Sequence, residues 1–407
     1  MRSVGHYASI AFVSAKRKKI KEKDLQGFKY FQPISAILEN LHDAGCARDR
    51  AGNRTLHMDQ YISLILLYFF NPICRSLRAV QQASELKKVQ RKLGVARASL
   101  GSLSEAARVF DSALMSEIIQ DLSGQLKPIS SQGRLNDLSE VLMAVDGSLI
   151  HVLPKMTWAL WKHDQQAIKV HTQFDLQKYV PVKITVTDGK TGETEVLAQS
   201  LEPGRIYVQD RGYASLTLFQ TILNHQSSFV CRLRDNAVYE TLEEYELTSD
   251  AEAAGIVFDR KIQPGSDAKT RNQLSIPIRL IAIKCTPHRK RYKIGRGGPE
   301  QSETLLIATD RFDLDADVLA LIFKHRWAVE IFFRFFKHVL GCRHLLSHCR
   351  NGIELQTYAA IIACMLIALW TGRKPTLRTY EMLCWYFTGM ADEDELLAHI
   401  HRLKKQD

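Results

Sequence analysis

The chain has 407 residues, which is long enough for two or three domains with a hydrophobic core. It carries 55 Lys and Arg against 44 Asp and Glu, and the formal net charge of +11 suits a polyanionic partner such as nucleic acid. Its longest apolar run, 358–370, is too short to span a bilayer and predicts a buried helix, which excludes an integral membrane protein.

The first 135 residues divide into a basic tail and a helical block. Residues 1–24 include the basic run 16–23 and are predicted to form a disordered tail able to touch DNA. From 25 to 135 apolar residues recur at helical spacing, with few strand signals. The predicted helices of this block cover 31–41, 57–70, 77–85 and 103–126.

Strand-like runs dominate the middle of the chain. Between 136 and 235 they alternate with turns and one or two helices, which predicts a mixed sheet with helices on its faces and an α+β fold class. Residues 236–303 are rich in β-type runs and predict an insertion. The core then resumes over 304–371, and 372–407 is a short helical segment. The predicted core strands are 141–146, 167–174, 181–187, 206–210 and 228–234.

Two aspartates follow strand-like runs. Asp146 ends the apolar run 141–145, and Gly147 leaves the backbone beside it approachable. Asp210 follows the run 206–209 in the same way. Carboxylate oxygens at the ends of buried strands suit hard divalent ions such as Mg²⁺ or Mn²⁺. Taken singly, each sequence is equally typical of a plain turn.

A third acidic residue lies in a predicted helix at 323–337. Each helical residue turns the chain by about 100°, so Arg326, Glu330 and Lys337 fall within about 40° of one another. Phe323 lies about 60° from Arg326. Such a stripe can hold a metal ion beside a phosphate, although on a solvated helix it would be an ordinary salt-bridge ladder. We expect the opposite, largely apolar flank to anchor the helix in the core. That flank carries Trp327, Ile331, Arg334 and Phe335.

Together these residues resemble the DDE transposases of bacterial insertion sequences. The similarity is to the branch whose third acidic residue lies in a Tyr-x2-Arg-x3-Glu-x6-Lys signature. Further likeness in 76–104, 167–175, 229–233 and 340–341 extends the resemblance over about 25–370. Phe323 stands where the family usually has tyrosine, so the ring is kept and its hydroxyl is lost. The residues that match the signature are Phe323, Arg326, Glu330 and Lys337.

The resemblance implies a fold and a set of site residues. It implies an RNase H-like catalytic core at 136–235 and 304–371, a helical DNA-end-binding domain at 25–135 and a β-rich insertion at 236–303. Two Mg²⁺ ions, for which Mn²⁺ can substitute, would activate the attacking oxygen and stabilise the leaving oxygen. In the insertion, Tyr292 is the aromatic residue best suited to stack on a flipped base. The implied catalytic and metal-binding residues are Asp146, Asp210 and Glu330, and the implied phosphate-binding residues are Phe323, Arg326 and Lys337.

The implied function is cut-and-paste movement of an insertion sequence through phosphodiester hydrolysis and strand transfer. The partners would be double-stranded DNA with terminal inverted repeats, target DNA and a second copy of the chain in a homodimeric synaptic complex. Eight scattered cysteines favour reduced thiols in a cytoplasmic protein, here one associated with the bacterial nucleoid.

Two alternatives stay open on sequence alone. One is a catalytically silent DNA-binding relative, against which the retained acidic triad counts. The other is a metal-dependent nuclease without transposition, which would not need the basic helical block at 25–135.

Overall fold

The fold is taken from a computed structural model of the chain. The structure describes residues 31–44, 52–129, 133–162, 165–265, 272–285, 304–342 and 344–403. The predicted tail at 1–24 and Tyr292 lie outside these residues. Within them the chain forms a large mixed sheet with helices on both faces, so the predicted α+β class is confirmed.

Helices form the described part of the chain before the sheet. Ser76 and Ser99 begin two of them by accepting hydrogen bonds from the backbone N–H three residues further on. The segment predicted as one helix at 103–126 is divided, because Asp111 caps a 3-10 turn at Ser112–Leu114. The helices are α1 (Phe31–Ala44), α2 (Met58–Phe70), α3 (Leu77–Ser84), α4 (Lys87–Leu93), α5 (Leu100–Val109), α6 (Met115–Gln125) and α7 (Gly133–Asn136).

Ten described strands form one sheet in the order β2-β3-β1-β5-β6-β10-β9-β8-β7, and β4 also pairs with β3. β1 runs antiparallel to β3 and parallel to β5, which is in turn parallel to β6. The strands of the predicted insertion extend the same sheet beyond β10. The strands are β1 (Val141–His151), β2 (Leu160–Lys162), β3 (Gln165–Asp175), β4 (Val180–Asp188), β5 (Arg205–Gln209), β6 (Ser228–Arg232), β7 (Tyr239–Tyr245), β8 (Ile256–Pro264), β9 (Ile278–Lys284) and β10 (Thr304–Thr309).

Further helices lie between and after the strands. The longest of them, α13 (Arg350–Thr371), is long and apolar enough by length and composition to cross a membrane, but most of its apolar stretch is buried inside the structure. It contains the run 358–370 that was predicted to form a buried helix. These helices are α8 (Glu193–Ala198), α9 (Leu216–Asn224), α10 (Ser249–Ala253), α11 (Ala316–His325), α12 (Trp327–Arg334), α13 (Arg350–Thr371), α14 (Leu377–Thr388) and α15 (Glu393–Leu403).

The two faces of the sheet pack into two hydrophobic clusters. Side chains alternate along a strand, so Leu142 and Ala144 of β1 face one cluster, whereas Met143 and Val145 face the other. The first, larger cluster also contains residues of α2, α5, α6, α12 and α13, and the second contains residues of α8 and α9. The helices before the sheet therefore share a core with it. Asp146 is in phase with Leu142 and Ala144, on the face against which α12 packs.

Candidate active site

The register of the sheet brings two of the predicted site residues together. β1 and β5 are adjacent and parallel, and Ala144 lies opposite Val208. Asp146 follows Ala144 by two residues, and Asp210 follows Val208 by two residues. The two aspartates are therefore level with each other across the sheet. Neighbouring strands are separated by about 4.8 Å. β5 ends at Gln209, so Asp210 occupies the end of its strand.

Backbone N–H groups orient both carboxylates. Gly147 N–H donates to Oδ1 of Asp146, and Gly212 N–H donates to Oδ1 of Asp210, each over 2.8 Å. The prediction that the first strand ends at Asp146 is wrong, because β1 stays paired with β3 as far as His151. Asp146 therefore lies inside a strand, which rules out a plain turn at this position.

The helix-borne residues meet where α11 and α12 join. Arg326 donates a short hydrogen bond to Glu330, one turn further along. The Arg326 side chain is only 11% exposed, whereas that of Glu330 is 32% exposed. The guanidinium carbon of Arg326 lies 5.9 Å from the centre of the Phe323 ring. Phe323, Arg326 and Glu330 thus form one contiguous group.

Lys337 takes a different position from the one that a regular helix predicts. A π turn at Phe335–Val339 follows α12, and its wider winding changes the angular spacing of the residues within it. Lys337 Nζ donates to the backbone oxygen of Leu149 over 2.8 Å. With Leu149, Ile150 and His151 it lines a cavity of about 330 Å³. Lys337 therefore lies beside Leu149, which follows Asp146 by three residues in β1.

The prediction of which side of this helix is buried is largely wrong. Trp327 is 54% and Ile331 is 50% exposed, and Arg334 is exposed as well, so Phe335 alone of that flank is buried. The helix carries apolar residues on more than one side, so its sequence leaves the buried side undecided. Packing against the sheet buries a different set, namely Val329, Phe332, Phe333 and Phe336.

Electrostatics set Asp146 apart. Burial raises the pKa of its carboxyl to about 7, against the lowering effects of the Arg326 charge and the Gly147 hydrogen bond. The negative charges of Asp210 and Glu193 raise this pKa further. A divalent cation would relieve this concentration of negative charge, and carboxylate oxygens are the ligands that Mg²⁺ and Mn²⁺ favour.

The predicted triad does not converge as a closed metal site. In the parts of the chain that the structure describes, no three His, Cys, Asp or Glu side chains come close enough to hold a metal ion. Asp146 and Asp210 are level, while Glu330 is engaged by Arg326. Arg326 binds Oε1 of Glu330, and the other carboxylate oxygen stays available to an ion.

One acidic residue of this region was missed from the sequence. Glu193 is the first residue of α8, directly after residues 187–192, whose sequence is typical of a plain turn. A Cβ atom added to Gly147 would lie 2.7 Å from Oε1 of Glu193, and one added to Gly212 would lie 3.9 Å from Oε2. The available signal was a glutamate in the first turn of a helix that follows the β3–β4 hairpin.

Comparisons with known proteins identify the family. The family model described as the transposase DDE domain matches residues 137–366, which is more than half of the chain. The chain belongs to this family of DDE transposases. The predicted transposase function and enzyme class are thereby confirmed, whereas the narrower signature branch and the site residues stay predictions.

Three proteins named as transposases are similar over much of the chain. Transposase y4zB of Sinorhizobium fredii is 24% identical over 63% of this chain and 67% of its own length. A protein of Geobacillus stearothermophilus, named for insertion sequence element IS5377, is 23% identical over 56% of this chain and 55% of its own length. A Synechocystis protein, named for insertion sequence element IS4SA, is 22% identical over 66% of this chain and 71% of its own length. The chain thus spans little more than half of the second relative.

A distant structural likeness was also found. The piggyBac transposase, in a cryo-EM structure of its synaptic complex with hairpin DNA, is 12% identical with a TM-score of 0.40. The match covers 92% of this chain and 84% of the other.

Proposed function

We propose that this transposase moves an insertion sequence by a cut-and-paste reaction, with Asp146, Asp210 and Glu330 as its catalytic carboxylates. The observation that carries the proposal is the level position of Asp146 and Asp210 on adjacent parallel strands. The order of antiparallel β4, β3 and β1 followed by parallel β5 and β6 supports an RNase H-like core at 136–235 and 304–371.

The three carboxylates would hold Mg²⁺ ions, for which Mn²⁺ can substitute. A bound ion supplies Lewis-acid stabilisation of the charge that develops on phosphodiester oxygens. The chain itself sets the orientation of the acids, since glycine N–H groups hold Asp146 and Asp210. The Arg326 guanidinium holds Glu330 and lowers the pKa of Asp146, which favours the ionised form that binds metal.

The cations beside the site suit a DNA backbone. Arg326 offers a planar guanidinium that can bind two phosphate oxygens. Lys337 offers a single positive charge beside Leu149, three residues after Asp146 in β1. A strand that passes from Arg326 to Lys337 would run along β1. The ring of Phe323 lies within cation–π range of the Arg326 guanidinium. Replacing Lys337 by Gln should weaken binding of every DNA sequence alike. It should also reduce the slope of log affinity against log salt concentration by about 1, the value for one lost phosphate contact.

The wider partnership is proposed on charge and topology. Residues 25–135 would bind the terminal inverted repeats, and the exposed basic side chains Lys87, Lys88 and Arg91 of α4 supply positive charge there. Target DNA would bind at the site, a second copy of the chain would complete a homodimeric synaptic complex, and the protein would act in the cytoplasm at the nucleoid. The β-rich insertion at 236–303 and the C-terminal helices at 372–407 would flank this core.

The test is cleavage and strand transfer on DNA that carries the element's own ends, in Mg²⁺. Wild type is compared with Asp146→Ala and Glu330→Gln, and Asp250→Ala, which removes an exposed aspartate of α10, is the control. We expect wild type and the control to cut and join, while the two site variants bind the ends without cutting. Wild type that binds without cutting would indicate a silent relative, and cutting without joining would indicate a nuclease.

A further inference from the structure

Because Gly147 has no side chain, another acidic residue, Glu193, lies close to the strand beside the site. A side chain at Gly147 would point to the opposite face of the sheet from Asp146, because side chains alternate along β1. The Glu193 carboxyl group occupies that space: Oε1, Cδ and Cγ lie 2.7, 2.8 and 3.0 Å from the position of a Gly147 Cβ. Only glycine at 147 lets Glu193 lie this close to the strand.

Glu193 also reaches the second aspartate loop. Its Oε2 lies 3.9 Å from the position of a Gly212 Cβ, and the same Cβ would lie 2.9 Å from Oδ1 of Asp210. Gly147 and Gly212 are the two residues whose N–H groups orient Asp146 and Asp210. Glu193 therefore lies beside both backbone segments that set the sheet-borne carboxylates.

We propose that Glu193 is a positioning residue of the active site, a fourth carboxylate that supports the Gly147 and Gly212 backbone and strengthens divalent-ion binding. The inference rests on the proposed function, since it assumes that Asp146 and Asp210 hold the ion. Groups that orient metal ligands from behind commonly contribute about 10- to 100-fold in metal affinity.

A purely structural role for Glu193 makes different predictions. The residue lies in the first turn of α8, where an acid stabilises the helix dipole, and it pairs with Lys169 over 3.5 Å. Glu195 lies in the same first turn but is exposed, so it shares the dipole effect without the contacts to the glycines. Glu195→Gln is therefore a matched control for Glu193→Gln.

The experiment measures Mn²⁺ affinity of the full chain by electron paramagnetic resonance and Mg²⁺ affinity by calorimetry, without DNA. We expect Glu193→Gln to weaken binding about 10-fold, Glu195→Gln to leave it unchanged, and Glu193→Asp to recover part of it. Unfolding temperatures in EDTA measure stability apart from ion binding, and they should fall at least as much in Glu193→Gln, which also loses the Lys169 pair, as in Glu195→Gln. If Glu193→Gln fails to fold, Gly147→Ala, which displaces the carboxyl group, should weaken ion binding in its place.

Lys169→Met separates the carboxylate from its ion pair. This variant removes the partner and leaves Glu193 charged, so we expect ion affinity equal to that of wild type or higher. Weakening as large as in Glu193→Gln would show that only the ion pair matters and would overturn the inference.

Asp146→Asn distinguishes failure of the inference from failure of the proposed function. If Asp146→Asn binds ions as wild type does, the proposed site is wrong and the role of Glu193 falls with it. If Asp146→Asn loses affinity while Glu193→Gln keeps it, the proposed function stands and the Glu193 inference alone is overturned.

Discussion

The two halves of the proposed active site are held in different ways. Asp146 and Asp210 are set by the backbone, through the register of β1 and β5 and through glycine N–H groups at 2.8 Å. Glu330 is set by another side chain, that of Arg326, and is 32% exposed. Backbone pairing cannot change without breaking the sheet, whereas an ion pair between side chains can exchange. The sheet half is therefore held more rigidly than the helix half.

The largest effect should come from removing a carboxylate from either half. Because a bound metal ion stabilises developing charge by several kcal/mol, Asp146→Asn and Glu330→Gln should each slow strand cleavage by about 10³-fold. Ion binding should separate the halves, with a greater loss in Asp146→Asn than in Glu330→Gln. Gel assays of cleavage and calorimetric titration with Mg²⁺ measure the two quantities. Equal losses of ion affinity would contradict the proposed difference.

A buried ion pair holds the segment that leads into α11, the helix before the Arg326–Glu330 pair. Arg279 of β9 binds Asp259 of β8 and donates to the backbone oxygen of Leu314, just before α11. Both charged side chains are less than 10% exposed. Replacing Arg279 by Met leaves the Asp259 charge buried and unpaired, at a cost of about 3–5 kcal/mol in unfolding free energy.

Urea unfolding measures this cost. Lys261→Met is the control, because it breaks the exposed pair with Glu243 and should cost about 1 kcal/mol or less. Similar losses in the two variants would show that the pair does not secure the segment before α11.

The sheet half should have its own pH signature. The folded pKa of Asp146 is raised to about 7 from an ordinary value of 3.8, so the native state binds this proton more tightly than the unfolded state does. Its contribution to the unfolding free energy is complete below about pH 4 and is lost as the pH rises through about 7. At about 1.4 kcal/mol per pH unit, the loss is at most about 4 kcal/mol.

Asp146→Asn isolates this contribution. In EDTA, wild type should lose stability relative to Asp146→Asn between pH 4.5 and pH 7.5. Other acids with raised pKa values, such as Asp175 and Asp310, are common to both proteins and cancel in the difference. A constant difference across this range would contradict the raised pKa.

The smallest effect should come from Phe323. Phe323→Tyr adds a hydroxyl to the ring beside Arg326, and one added hydrogen bond to a phosphate is worth about 1 kcal/mol, or about fivefold in DNA affinity. Fluorescence anisotropy with end DNA measures this change. Phe312→Tyr, at an exposed position outside the site, should leave affinity unchanged. A gain in both variants would assign the effect to general surface polarity.

Local patterns in the sequence account for much of the proposed site. A short apolar run before Asp146 and another before Asp210 indicate strands, because a buried strand needs apolar side chains on both faces. The four-residue spacing of Arg326 and Glu330 predicts their contact on a helix. Both expectations concern residues close in sequence, where backbone geometry limits the outcomes.

Long-range packing accounts for what the sequence did not reveal. The position of Glu193 depends on how α8 packs against β1 and on the space left by Gly147, which precedes Glu193 by 193 − 147 = 46 residues. The π turn that carries Lys337 to Leu149 likewise has no signal in the periodicity of its segment.

By itself, the sequence determined the α+β class and the acidic and basic residues available for chemistry, since these follow from composition and short-range spacing, and its motifs resemble those of the DDE transposases, the family that the family-model match shows. Tertiary structure decided the side of α12 that is buried, because the helix is apolar on more than one side and only contact with the sheet selects Phe332 and Phe336 over Trp327 and Ile331. It also decided which acids are neighbours, because strand register and helix packing set distances between residues that are far apart in the chain.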